Sequence, residues 1–215
     1  MKTILLSIIL AFSAININAE KREAYEAILI NVENSVDGNN INDNDASLNN
    51  EIGDNNFNIS SYSDSKIDVS WIFHPTHLSF TLLNKGNSTI KVLWDDAAFI
   101  DGSNSSHPVF HNGITINDRD KEQKPTSIVK KSQIDDRILL SDKVGYMKVV
   151  GRWVFSYINE IVKDGEEMKV LLPLEINGEI NEYLFTFKLV NLNVKGKASL
   201  RGDGTWIYQP LKKRN

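Results

Sequence analysis

The chain has 215 residues, 24 Lys and Arg against 28 Asp and Glu, and no cysteine. That length suits one β-rich domain or two small domains with a sizeable core. The mild acidic excess argues against nucleic acid, which needs a basic stripe. The lack of cysteine excludes disulfides, thiolate nucleophiles, Cys-ligated zinc and a lipid-modified cysteine anchor.

Lys2 supplies a positive start, Ile4 to Phe12 is apolar apart from Ser7, and Ala19 precedes the charged stretch Glu20-Lys21-Arg22-Glu23. This is the layout of a secretory signal peptide, with cleavage expected after Ala19. The apolar run is too short to span a bilayer as a helix, so the mature chain is expected to lack a transmembrane segment and to be exported, periplasmic or secreted. Removing the first 19 residues, Lys2 among them, leaves 196 residues with 23 basic against 28 acidic side chains, a net charge of −5.

Ala24, Ala27, Ile28 and Leu29 sit near helical spacing, which predicts a short helix within 20–30. From Asn31 to Ser65 the composition turns to Asn, Asp, Ser and Gly, and the segment reads as flexible because few apolar residues repay the entropy of ordering. The expected organisation is a signal peptide over 1–19, an N-terminal segment over 20–65 and a β-sandwich domain over 66–215.

From Lys66 the period becomes two. Ile67, Val69, Trp71 and Phe73 form one strand face, and His74-Pro75-Thr76-His77 breaks the run. Leu78, Phe80 and Leu82 form the next face, and Ile90, Val92 and Trp94 a third. Pairing arithmetic predicts a meander over about 66–95, with Trp71 opposite Phe80, Phe73 opposite Leu78, Leu82 opposite Ile90 and Leu78 opposite Trp94. Asp101-Gly102 and Asn112-Gly113 mark further turns. Trp153, Phe155 and Tyr157 suggest a strand, and Asp164-Gly165 a turn after it. Asn177-Gly178 is the preferred dipeptide of a type I′ hairpin. It pairs Ile176 with Glu179, Leu172 with Tyr183, Val170 with Phe185 and Met168 with Phe187. Roughly seven to nine short strands follow from the turn spacing. Clean alternation means half-solvated, antiparallel sheets, so the expected fold is all-β, a two-sheet antiparallel β-sandwich with a flexible N-terminal segment.

The stretch from Trp94 to Gly102, with His111-Asn112-Gly113 and Pro125-Thr126-Ser127-Ile128, resembles small exported bacterial proteins and lipoproteins of uncharacterised function. The resemblance covers about residues 65–160 and contains no catalytic motif. It implies an immunoglobulin-like sandwich, without the lipid-modified cysteine that many of those proteins carry.

The four histidines come as two pairs, His74 with His77 and His107 with His111. Four imidazoles can complete a zinc tetrahedron. Each pair flanks a proline, however, as turn residues do, and exposed loop histidines are the plainer reading. Asp43, Asp45, Ser47, Asn49 and Glu51 alternate like calcium ligands, but the positions that need Gly and Glu in a calcium loop hold Leu48 and Asp54. Arg201-Gly202-Asp203 matches an adhesion tripeptide that a Gly-rich turn also explains. Asn58, Asn87 and Asn104 head sequons that matter only in a eukaryotic secretory pathway. The Lys212-Lys213-Arg214 tail is too small for nucleic acid.

No GxSxG elbow, phosphate loop, dinucleotide fingerprint or HExxH is present, so no cofactor is expected. Asp95-Asp96 and Asp135-Asp136 are adjacent carboxylates, and neighbours on a strand point to opposite faces. The expectation is a non-catalytic exported binding or accessory module with a protein or glycan partner. The alternative is an extracellular glycan hydrolase that uses dispersed Asp and Glu carboxylates.

Overall fold

The computed structural model describes residues 25–36, 39–40, 45–52, 58–149, 151–192, 196–200 and 206–210. The expected signal peptide, the Arg201-Gly202-Asp203 turn, Asp43, Asp54 and the Lys212-Lys213-Arg214 tail lie outside them. Residues 24–193 form one compact unit. Its first strands are β1 (Tyr25–Val36), β2 (Asn39–Asn40), β3 (Ser47–Ile52), β4 (Asn58–Ser63), β5 (Ile67–His74), β6 (His77–Asn84), β7 (Ile90–Val92) and β8 (Ala98–Ile100). Then come β9 (Ser106–Phe110), β10 (Thr126–Ile128), β11 (Gln133–Leu140), β12 (Val144–Met147), β13 (Arg152–Phe155), β14 (Glu167–Ile176) and β15 (Glu179–Asn191). In the other unit, β16 (Gly196–Leu200) and β17 (Trp206–Pro210) pair antiparallel, with Leu200 opposite Trp206.

The protein is all-β and antiparallel. Thirteen strands make one sheet in the order β2-β1-β15-β14-β8-β9-β11-β6-β5-β4-β3, with β7 and β10 branching from β14. The strand pairing is continuous, because β9 joins β8 on one side and Leu139–Leu140 of β11 on the other. The sheet curls almost into a barrel. β1 comes beside β4, and side chains close the gap. Asn50 and Ser60, opposite each other on β3 and β4, both reach the main chain of Leu29. The Leu29 N–H is shared between Ser60 Oγ (3.1 Å) and Asn50 Oδ1 (3.2 Å), and Asn50 Nδ2 donates to the Leu29 carbonyl (3.0 Å). The primary amide thus stands in for a neighbouring strand's peptide.

Two sequence expectations fail at the N-terminal end. The predicted helix within 20–30 is the start of β1, and the segment read as flexible contributes the rest of β1 together with β3 and β4. β1 carries a bulge between Leu29 and Asn31. Ala27 and Leu29 face inward before it, Val32 and Asn34 after it, and Ile30 points out. The helical reading comes from the apolar run Ala27-Ile28-Leu29 before the bulge, in which Ala27 and Leu29 are the buried face and Ile28 lies half-buried on the other. β4 buries Ser60 and Tyr62, so its inward face is half polar and composition alone misses it.

The β5–β6 pairing is as the sequence predicts, with Trp71 opposite Phe80 and Phe73 opposite Leu78. The third strand of the expected meander is placed elsewhere. Leu82 lies opposite Ile134 of β11, while Ile90 meets Ile128 of β10 and Ile176 of β14. Buried Asn84 redirects the chain. Its Nδ2 donates to the carbonyls of Ser88 (2.7 Å) and Ile128 (3.0 Å), while its own main chain pairs with Lys131 and Ser132. Trp94 accordingly sits on a 3-10 turn at Trp94–Asp96, buried but not opposite Leu78. The strand count exceeds the expected seven to nine because three-residue strands such as β8 and β10 are too short to show an alternation of their own.

The β14–β15 hairpin has the predicted register throughout, and Asn177 and Gly178 take φ of 54° and 85° at its turn. The alternation on β6 is strict, with Leu78, Phe80 and Leu82 buried between half-exposed neighbours. Trp71 lies at the centre of the core, its ring 4.9 Å from Phe80, 5.1 Å from Phe185 and 5.6 Å from Phe187.

Candidate binding surface

β12 and β13 form a ribbon of their own, with Val144 opposite Phe155 at its base and Met147 opposite Arg152 near its tip. Both roots of the ribbon are fastened. On one side the 3-10 turn Ser141–Lys143 is held by His107, whose Nδ1 lies 2.7 Å from Asp142 Oδ2. On the other, Ser156 N–H donates to Lys143 O (2.9 Å) and Ile158 N–H to Pro75 O (2.7 Å). A shallow cleft between these roots is lined by Thr76, Leu140, Lys143, Phe155 and Tyr157.

Beyond the roots the ribbon leaves the core. Tyr146 and Trp153 are cross-strand partners with rings edge to face at 5.4 Å. The Arg119 guanidinium lies 5.4 Å from the Trp153 ring, steadied by bonds to the carbonyls of Ile116 and Ser141. Tyr146, Met147 and Trp153 are exposed, and Val149 at the tip is 96% exposed. Gly151, at φ +63°, closes the turn with its N–H on Met147 O. Between Lys143 and Tyr157 the chain carries Lys143, Lys148 and Arg152 and no acidic residue. A basic, apolar finger therefore projects from an acidic protein. Exposed aromatic and aliphatic groups gathered at one place mark an interaction site.

Sequence reasoning placed a strand at Trp153 but missed this surface. The signal was available: Tyr146-Met147 and Val154-Phe155 are apolar in both parities, so one face of such a ribbon cannot be buried by the other face's partner.

The candidate metal ligands are engaged separately. His74 and His77, opposite each other at the β5–β6 turn, stack at 4.4 Å. Burial pushes His77 down to about 3, helped by the nearby charges of His74 and Arg137, and burial with Arg137 also lowers His74. Buried His107 bridges two carboxylates, with Nε2 3.1 Å from Asp101 Oδ2 and Nδ1 facing Asp142. Carboxylates only accept, so both bonds form when each ring nitrogen carries hydrogen. Burial alone would raise the Asp101 carboxyl. Bonds from the Ser103 hydroxyl, His107 and the Ser105 and Ser103 N–H groups outweigh it and hold Asp101 well below the ordinary carboxylate range. His111 lies flat on Trp94 at 4.1 Å and meets Asp136 through Nδ1 at 3.0 Å. Exposed loop histidines were the plainer expectation, yet His107 is buried between Asp101 and Asp142, and His111 is packed on Trp94 and held by Asp136.

Among the described residues no three His, Asp or Glu side chains are grouped to hold a metal. Ser47, Asn49 and Glu51 of the calcium-like series alternate along β3, where strand geometry spaces them by roughly 7 Å. Asp135 bonds Thr81 on the outer face, while Asp136 turns inward to His111, as alternation requires. Asp95 accepts from Gln123 N–H at 2.9 Å.

No family model, curated protein or solved structure matches this chain. Among the described residues no helix is long and apolar enough to cross a membrane.

Proposed function

We propose that this chain is an exported, non-catalytic β-sheet protein, an envelope-associated or secreted binding or accessory module, whose binding element is the β12–β13 ribbon. The observation that carries the reading is the joint exposure of Tyr146, Met147, Val149 and Trp153 on a ribbon whose roots are pinned. A pinned base limits the entropy lost on binding, and Trp, Tyr and Arg are the residues that dominate binding energy at interfaces. Export rests on the charged, apolar and small-residue order of residues 1–19. The finer architecture belongs to the same proposal: an immunoglobulin-like sandwich whose layers face each other through Trp71 and Phe185 and join along β9, in keeping with the resemblance of residues 65–160.

Mass spectrometry of the native protein should find an N-terminus near Glu20, and an intact Met1 on a cytoplasmic product would overturn export. Isolated envelopes should retain the protein and release the Tyr146→Ser/Trp153→Ser variant, provided both melt alike. Equal retention would remove the ribbon from the proposal.

A further inference from the structure

The ribbon's chemistry identifies the class of surface it meets. Its tip presents Val149 almost fully to solvent, with Met147 beside it. Aliphatic groups at a tip gain nothing from the polar faces of a glycan, whereas an acyl layer removes them from water. Behind the tip stand Tyr146 and Trp153, the two side chains whose apolar rings and polar edges suit the headgroup level of a bilayer. Lys148 and Arg152 flank them in a stretch from 143 to 157 without an acidic residue, while at the base Lys143 pairs with Asp142 (3.7 Å) and Arg119, beside Trp153, with Asp120 (3.5 Å). A chain with a formal net charge of −4 thus concentrates cations where its apolar groups protrude. A second copy of the ribbon would oppose cation to cation, which disfavours self-association through this face.

We infer that the β12–β13 ribbon docks on an anionic lipid surface, inserting Val149 and Met147 between headgroups while Lys148 and Arg152 pair with lipid phosphates. This rests on the reading of the ribbon as the binding element and names what it binds. Insertion of a short apolar tip backed by cations is an interfacial mode, driven by both apolar burial and surface charge.

The full chain, mixed with vesicles of equal phosphatidylglycerol and phosphatidylcholine carrying brominated acyl chains, should lose tryptophan emission, and vesicles of phosphatidylcholine alone should have little effect. In a Trp206→Phe background, which removes the fourth tryptophan, the quenching should disappear in Trp153→Phe, since Trp71 and Trp94 are buried in the core. Lys148→Glu/Arg152→Glu should weaken partition about tenfold or more, given the attraction of each basic residue to anionic lipid, and salt should weaken the wild type. Quenching that Trp153→Phe retains in full in that background, or none in the folded wild type, would overturn lipid docking. If envelopes still retain the protein through the ribbon but vesicles do not, the binding reading stands and the occupant is a protein or glycan. Loss of retention after protease treatment of the envelopes would then identify a protein.

Discussion

The Tyr183 hydroxyl donates to Asp64 Oδ2 at 2.8 Å across 119 residues of sequence. The same carboxylate accepts from the N–H groups of Lys66 (2.8 Å) and Ile67 (2.7 Å) and from Tyr62 (3.3 Å), so one buried side chain shapes the β4–β5 turn and ties it to β15. Tyr183→Phe removes one bond to a charged group and should cost about 1.5–3 kcal/mol. Asp64→Ala leaves several donors without an acceptor and should cost more, about 3 kcal/mol or above. Urea melts decide between this and a neutral outcome. The node also means that residues 58–65 cannot be trimmed: a chain lacking them should fail to give a cooperative melt.

The Asn50–Ser60 clasp offers a second test. Asn50→Asp keeps the acceptor for the Leu29 N–H but loses the donor to the Leu29 carbonyl. Asn50→Ala loses both. Losses of about 1–3 kcal/mol are expected for Asn50→Ala, with a smaller effect for Ser60→Ala. Faster hydrogen exchange at the Leu29 amide in Asn50→Ala, without change at Trp71, would locate the effect at the clasp.

Acid sensitivity should begin with the stacked histidines. The folded-state value of His77 is depressed to about 3 from an ordinary value near 6.5, with His74 moved the same way. Between those limits the unfolded chain binds a proton that the folded chain refuses, so stability falls as pH drops from about 6.5 toward 3. Asp101 is also depressed, which adds stability above its ordinary value of 3.8 and removes it only at lower pH. Thermal melts at pH 7, 5.5 and 4.5 should show a decline that His77→Gln reduces. An unchanged slope in that variant would refute the assignment.

Core and surface should separate cleanly between the inward faces of β5 and β15 and the outward face of β6. Truncating Trp71 or Phe185 to Ala should cost about 3–5 kcal/mol through lost burial and a cavity. Thr81 bonds Asp135 on the wetted face, and Thr81→Ala should stay near 0.5 kcal/mol. Comparable losses at both kinds of position would mean that both faces are buried.

What could be read from the sequence was local. Asn177-Gly178 specifies its own turn, and the register from Ile176–Glu179 to Met168–Phe187 follows from counting outward. The β5–β6 pair is legible for the same reason. The partner of Ile90 was not, because an adjacent run with matching alternation exists and the competing partners, Ile128 and Ile176, lie far along the chain. Asn84 decides that competition through side-chain bonds that no period reports. β4 was missed because Ser60 is buried as a hydrogen-bonding device, not as an apolar group. The ribbon at 144–155 was missed as a surface because strand reasoning assumes that every apolar face finds a sheet.

The clasp at Leu29 has a bearing on solubility. A strand with a free row of peptide groups is a template on which other chains can add, and this chain is rich in strands. Here the vulnerable stretch of β1 is occupied by an amide and a hydroxyl from the same molecule, while β3, at the far end of the strand order, carries Asn49, Asn50 and Glu51. The device that nearly closes the barrel therefore also guards against runaway intermolecular pairing. Variants that open it should be watched for fibrillar aggregation as well as for loss of stability.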